Sequence, residues 1–126
     1  MTQDYLLDSG MQIEKHPVQF FIAVCNDWQQ LLLEDRYKDI IISALKHRIT
    51  LKQIKVGAFV IIPNHFHLIW RIQSEFKLED VQRDFLKFTA KEIMSVMKQE
   101  KGERAWDSLH VDLKDRKFQV WKRNSL

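Results

Sequence analysis

The sequence predicts a single α+β domain in which strands and helices follow the order β-α-β-β-α-β. Short runs of β-branched and aromatic residues indicate four strands, and two longer stretches carry apolar residues at helical spacing. The composition agrees, since 45% of the 126 residues are hydrophobic and 29% are charged, as in ordinary globular proteins. We therefore expect one domain over residues 1–126, long enough to bury its own core.

The first half of the domain is predicted to hold an arm, a strand and a helix. Residues 1–16 are polar and mixed, which is typical of a loosely held arm. Residues 18–24 are rich in β-branched and aromatic side chains and predict a buried strand. Residues 34–48 predict a helix, because their apolar members recur at helical spacing. These members are Tyr37, Ile40, Ile41, Ala44 and Leu45.

A β-hairpin is predicted in the middle of the chain. Residues 54–62 and 65–72 are apolar runs, and Pro63-Asn64 between them supplies the turn of an antiparallel pair. Proline fixes its own backbone angle and so starts the next strand cleanly.

A second helix and a last strand are predicted to complete the domain. Residues 78–99 predict the helix, residues 100–116 a charged connection, and residues 118–121 a short fourth strand. This order is that of the ferredoxin-like fold. It implies an antiparallel sheet with both helices on one face and with the first and third strands in the middle.

The predicted third strand opens with two histidines, His65 and His67. Because side chains alternate along a strand, both imidazoles point to one face and Phe66 points to the other. Such a pair favours a polar partner, either a divalent metal ion or a phosphate. Mg²⁺ or Mn²⁺ would also need a third protein ligand and phosphate or water oxygens. The alternative is that both rings are hydrogen-bonded core or rim residues, because His-x-His alone is a weak motif.

Basic residues indicate where a polyanion would bind. The net charge is +3, and all of the basic excess lies after residue 70. Arg83, Lys87 and Lys91 stand at i, i+4 and i+8 of the second helix, so they form one stripe suited to DNA phosphates. The alternative is a solvated helix face on which Asp84 and Glu92 pair with these bases.

A second candidate patch for DNA comprises Lys114, Arg116 and Lys117, followed by the pair Lys122 and Arg123. Trp121 before them either stacks on an unpaired base or seats the fourth strand in the core, and we prefer the core.

No apolar run approaches the ~20 residues of a membrane span, and the N-terminus lacks the features of a signal peptide. Cys25 lies among apolar neighbours and is expected to be buried, so we expect a cytoplasmic, disulfide-free protein.

Three segments together carry a resemblance to a known family. They read VGAFVIIPNHFHLI at residues 56–69, LEDVQRDFLKFTA at residues 78–90 and FQVWKR at residues 118–123. Each resembles the corresponding part of the single-tyrosine HUH transposases, in particular the REP-associated tyrosine transposases and their insertion-sequence relatives. The resemblance covers most of residues 18–126 and implies a role in DNA transposition.

The resemblance also implies a mechanism. The histidine pair would bind Mg²⁺ or Mn²⁺ on single-stranded DNA near a hairpin, and a tyrosine would attack the phosphate to leave a 5′-phosphotyrosine. In these transposases the tyrosine lies on a helix beyond the strand that matches Trp121. The sequence stops at Leu126, and Tyr5 and Tyr37 stand elsewhere, so we expect a truncated member with no catalytic residue assigned. Many relatives dimerise, and a homodimer is expected here too.

Two other functions stay open at this point. A non-catalytic remnant would bind element ends or repeats without cleaving them. A metal-dependent phosphodiesterase would use water in place of tyrosine, which requires a carboxylate near the histidines. The predicted strands show no convincing carboxylate of that kind.

Overall fold

The computed structural model describes residues 16–122, which form three strands and two helices. In chain order these are β1 (Gln19–Val24), α1 (Asp35–Thr50), β2 (Ile54–Ile62), β3 (His65–Ile72) and α2 (Leu78–Lys101). Short 3-10 turns occupy Asn26–Trp28, Gly102–Arg104 and Asp107–Leu109. The bounds of these strands and helices lie within two residues of the predicted ones. The predicted arm lies outside the described residues, except for His16.

The three strands form an antiparallel sheet with the order β1-β3-β2, so β3 is the central strand. His65 pairs with Val24 of β1 on one side and with Ile62 of β2 on the other. The ladder between β2 and β3 is irregular between Val56 and Ala58, where β2 has one more residue than its partner. The predicted hairpin and the central position of the histidine strand agree with this sheet.

One face of the sheet forms the core together with both helices. Phe66 and Trp70 of β3 are 0% and 1% exposed. Phe85 of α2 packs edge-on against both rings, with centroids 6.0 and 5.9 Å apart. Burying side chains of this size stabilises the fold by roughly 1.5–3 kcal/mol each. From α1 the core receives the predicted apolar stripe, with Tyr37, Ile41, Ala44 and Leu45 buried.

The opposite side of the sheet, which we call the open face, is not covered by α1 or α2. The strand residues on this face follow from the pairing register and from alternation. They are Phe20, Ile22 and Val24 of β1, Lys55, Ala58, Val60 and Ile62 of β2, and His65, His67, Ile69 and Arg71 of β3. Several apolar members remain exposed, among them Phe20 at 64% and Val60 at 52%. The two histidines therefore lie on the face away from the helices.

Residues 118–121, predicted as the fourth strand, do not form a regular strand. This segment makes only isolated antiparallel bridges, one to Cys25 and one to His110. Its backbone hydrogen bonds are divided between the end of β1 and residues 109–111, so no continuous ladder forms. Within the described residues the sheet therefore has three strands, and β1 lies at its edge rather than in the middle.

The last described segment is nevertheless part of the core. Val120 and Trp121 are 2% and 6% exposed, and the indole Nε1 of Trp121 donates to Thr89 Oγ1 at 3.0 Å. The preferred assignment of Trp121 to the core is confirmed. Across residues 16–122, neither helix combines the length and the apolar character that crossing a membrane requires.

Candidate functional site

The histidine pair, His65 and His67, stands directly after the turn between β2 and β3. The turn consists of Pro63 and Asn64, whose carbonyl oxygens accept hydrogen bonds from Leu32 N at 2.8 Å and Cys25 N at 2.9 Å. The turn is thereby tied to the segment that follows β1. This connection fixes the position of His65, the first residue of β3.

The two imidazoles converge on the open face. Nε2 of His65 lies 3.0 Å from Nε2 of His67, and the ring planes meet at 68° with centroids 4.8 Å apart. Asn64 Oδ1 lies 2.7 Å from Nδ1 of His65. Because an amide oxygen only accepts, Nδ1 carries the proton, and the neutral ring keeps a lone pair on Nε2. In the absence of a metal ion, the Nε2–H tautomer of His67 would donate to that lone pair, and a bound ion would replace this proton.

The surroundings of His65 favour its neutral form. Burial, followed by the charge of His67, lowers the pKa of His65 below its ordinary value. An imidazole nitrogen binds a metal ion only when it is unprotonated. The lowered pKa therefore keeps this nitrogen available at neutral pH.

The histidine pair supplies two metal ligands but not a complete shell. Among residues 16–122, no three side chains of His, Cys, Asp or Glu lie close enough together to hold a metal ion. The third protein ligand expected from the sequence is not found in this part of the chain. Oxygen atoms of a phosphate or of water would have to complete the shell, as Mg²⁺ and Mn²⁺ accept.

Two exposed aromatic rings extend the histidine pair on both sides. Phe20 stacks on His67 with centroids 5.9 Å apart, and Trp28 meets His65 edge-on at 6.3 Å. The Nζ atom of Lys122 lies 5.7 Å from the centroid of Trp28. Neither ring is among the site residues predicted from the sequence. Strand alternation could have identified Phe20, whereas Trp28 lies in a turn and has no comparable signal.

The predicted basic stripe lies on the other side of the molecule. Arg83, Lys87 and Lys91 are exposed on α2, which packs on the core face, so the sheet separates them from the histidine pair. Arg83 is ion-paired with Asp80 and Asp84, each at 3.2 Å. Of the two acidic residues that the sequence offered as partners, Asp84 pairs with the stripe, through Arg83.

A groove of about 590 Å³ runs along α2, and its lining includes Lys87, Lys91, Lys98 and Trp106. The Nζ atom of Lys98 lies 5.2 Å from the centroid of Trp106. The indole Nε1 of Trp106 donates to Met94 O at 2.8 Å, which fixes the ring. Two predicted lysines therefore belong to a basic groove with an aromatic wall, a surface suited to a polyanion.

Lys114, Arg116 and Lys117 of the predicted C-terminal patch are exposed on the segment before residue 118. Lys122 is exposed beside Trp28, on the same side of the sheet as the histidine pair. Arg123 lies outside the described residues.

Two groups that could act as nucleophiles are held in the core. The hydroxyl of Tyr37 donates to Glu100 Oε1 at 2.9 Å, and burial, followed by this carboxylate, raises the pKa of Tyr37 to about 12. Burial also raises the pKa of the Cys25 thiol to about 11. Neither group is suited to attack a phosphate at the histidine pair. Tyr5 lies outside the described residues.

Comparison with known proteins shows the class of fold. No family model and no curated protein matches the sequence. The chain is similar to a crystal structure of a candidate transposase from Deinococcus radiodurans R1, with a TM-score of 0.60 and 17% sequence identity. The similarity covers 75% of this chain and 72% of that chain. The fold of this chain is therefore transposase-like.

Proposed function

We propose that this domain acts in DNA transposition by binding single-stranded or hairpin DNA through a divalent metal ion at His65 and His67. The observation that carries the proposal is the convergence of their Nε2 atoms, 3.0 Å apart, on the open face of the central strand. The fold similarity to the Deinococcus protein supports the same class. The resemblance of residues 56–69 to the HUH transposases supports the finer assignment.

Mg²⁺ or Mn²⁺ fits the histidine pair as part of a shell that oxygen atoms complete. Asn64 holds Nδ1 of His65 at 2.7 Å, and such a contact to the far nitrogen commonly orients a metal-binding histidine. When bound, the ion would polarise a DNA phosphate and offset its charge. The protein itself orients the two imidazoles, through their shared face of β3 and through the contact of Asn64 with His65.

A ferredoxin-like arrangement is part of this proposal. The antiparallel bridge between Cys25 and Trp121 lies on the outer side of β1, where the fourth strand of that fold runs. The burial of Trp121 there also supports the arrangement. We propose that this segment serves as a fourth strand that is reduced to single bridges.

Two basic surfaces would contact the DNA. Lys122, which lies beside Trp28, would contact phosphates next to the histidine pair, and we propose Arg123 as a further phosphate contact. Lys87 and Lys91 in the α2 groove would contact phosphates of a longer or hairpin substrate. Arg83 would contribute less, because its guanidinium already pairs with two carboxylates.

DNA binding without cleavage is the second candidate function. It is favoured by the burial of Tyr37, the one tyrosine among residues 16–122, on the side of the sheet away from the histidines. Cleavage by water is not favoured, because the histidine pair has no carboxylate cluster in the same described range.

Titration with Mn²⁺, followed by electron paramagnetic resonance, tests the metal site. We expect His65→Ala and His67→Ala each to lose most of the affinity for Mn²⁺. His47→Ala is a matched control, because His47 is an exposed histidine on α1, and it should bind Mn²⁺ as the wild type does. Equal affinity in all of these variants would contradict the proposal.

A covalent-adduct assay separates the candidate functions. The protein is incubated with Mn²⁺ and a labelled hairpin oligonucleotide that has a single-stranded flank, and the products are resolved under denaturing conditions. A stable protein–DNA band indicates a tyrosine nucleophile, and released fragments without a band indicate attack by water. Binding alone indicates the non-catalytic function, and no binding with or without Mn²⁺ contradicts the proposal.

A further inference from the structure

Phe20, His67, His65 and Trp28 form a continuous row of rings across the open face, which we call the ring row. Neighbouring centroids along it are 5.9, 4.8 and 6.3 Å apart. The two histidines occupy the middle and the other two rings the ends. A phosphate at the histidines would therefore have an aromatic ring on each side, within the span of a nucleotide.

Both end rings are exposed, Phe20 by 64% and Trp28 by 55%. Trp28 also has a left-handed backbone with a φ of 56°, as does Asp27 before it. A bulky residue seldom adopts this conformation, and its cost persists only where the surrounding structure imposes it. The exposed rings stabilise the fold little, because they are not buried. The left-handed backbone of Trp28 does not stabilise it either, because that conformation costs energy. A ligand that covers the rings explains the arrangement.

Hydrogen bonds hold the turn that carries Trp28. Its backbone N donates to Cys25 O at 2.9 Å, and Asn26 N donates to Val120 O at 2.7 Å. The side-chain amide of Gln119 donates to Asn26 Oδ1 at 3.2 Å. The indole is therefore held beside the histidine pair by the fold itself, so little ordering is needed when a ligand binds.

The charges near the ring row indicate an anionic ligand. Besides the histidines, the ionisable strand residues of the open face are Lys55 and Arg71, and none of the strand residues on this face is acidic. Lys122 lies against Trp28, while Asp27 is the acidic residue of the same turn. Exposed rings alone would also suit a second protein. Rings combined with cationic groups match the bases and phosphates of an unpaired strand.

We propose that Phe20 and Trp28 stack on two unpaired bases that flank the phosphate held at the histidine pair. This inference rests on the proposed function, because it requires DNA at His65 and His67. Stacking on an open sheet needs bases whose faces are free, whereas the bases of a duplex are already stacked on one another. The ring row thus selects single-stranded DNA over duplex, and the stem of a hairpin is left to other surfaces.

Affinity for a short unstructured oligonucleotide, measured by fluorescence anisotropy with Mn²⁺, tests the two end rings. We expect Phe20→Ala and Trp28→Ala each to weaken binding on the order of tenfold, and Trp28→Phe to retain most of it. Phe59→Ala is the matched control and should bind normally. Phe59 is 46% exposed, but its pairing with Leu68 directs it to the other face. Wild-type affinity in both alanine variants of the ring row overturns the inference.

Oligonucleotides with one abasic position give a second measurement. Omitting the base that stacks on Trp28 should weaken wild-type binding as much as Trp28→Ala does. Combining the two changes should cost no more than either alone, because they remove the same contact. Additive losses at every abasic position overturn the inference. Stacking should also quench the fluorescence of exposed Trp28, and Trp28→Phe should lose most of that quenching.

The outcomes distinguish this inference from the proposed function. If the wild type binds Mn²⁺ and single-stranded DNA through the histidines but the ring-row variants bind equally well, the inference alone fails. If the wild type binds no DNA, both fail. If sedimentation shows a dimer that Phe20→Ala and Trp28→Ala dissociate, the open face is an interface between two copies, and the inference is overturned.

Discussion

The two faces of the sheet contrast most clearly at Phe20 and Phe21, neighbours in β1 that are 64% and 2% exposed. Phe21 stacks on Trp70 in the core with centroids 5.4 Å apart, whereas Phe20 stacks on His67 at the surface. Both faces are rich in apolar side chains, but the helices cover only one of them. The apolar content of a strand therefore does not reveal which of its faces is buried in the core and which remains open to a ligand.

The largest expected effect comes from replacing each of these two phenylalanines by alanine, one at a time. Phe21→Ala should lower the free energy of unfolding by about 3–5 kcal/mol, because it removes a fully buried ring and leaves a cavity. Phe20→Ala should lower it by less than about 1 kcal/mol. Urea unfolding followed by circular dichroism measures both values. Equal losses would show that the open face is packed as tightly as the core.

The next effect concerns how Asn64 supports the histidine pair. Asn64→Ala should weaken Mn²⁺ binding by about 10- to 100-fold, because Nδ1 of His65 loses the acceptor that orients the ring. Asn64→Asp keeps an acceptor oxygen at this position and should retain the affinity. A calorimetric titration with Mn²⁺ provides the comparison. Unchanged affinity in Asn64→Ala would indicate that the turn alone positions the ring.

A smaller effect is expected on the helix side of the molecule. Lys87→Ala or Lys91→Ala should reduce the slope of log affinity for hairpin DNA against log salt by about 0.7–0.9, the value for one lost phosphate contact. Arg83→Ala is the matched change on the same helix and should alter the slope less, because Arg83 is paired with Asp80 and Asp84. If all three variants keep the wild-type slope, α2 does not approach the DNA.

The smallest effect is a pH dependence of folding that His65 contributes. Its pKa in the folded protein lies below the ordinary value of 6.5, so between the two values the unfolded chain binds more protons. Stability should therefore be complete above about pH 6.5 and fall as the pH drops through the folded pKa. His65→Gln should flatten this part of the profile, and His47→Gln should not. Urea unfolding in metal-free buffer at a series of pH values measures the difference.

The regular elements could be predicted because each carries its own period. The alternation in β3 and the helical spacing in α1 are local patterns, and the burial of their side chains reproduces them. Residues 118–121 have strand-like composition, but a strand also needs one partner along its whole length. Here the partner changes from residues 109–111 to the end of β1. That change depends on contacts far apart in sequence, which composition cannot reveal.

That His65 and His67 share one face of a strand follows from the sequence, because side-chain alternation is a property of the local backbone. The packing of both helices on the other face, which leaves the histidine face open, depends on the tertiary structure. The position of Trp28 beside His65 depends on it too, because a left-handed turn tied to Val120 carries Trp28 there. Contacts between distant segments decide such placements, and no short stretch of sequence contains both partners.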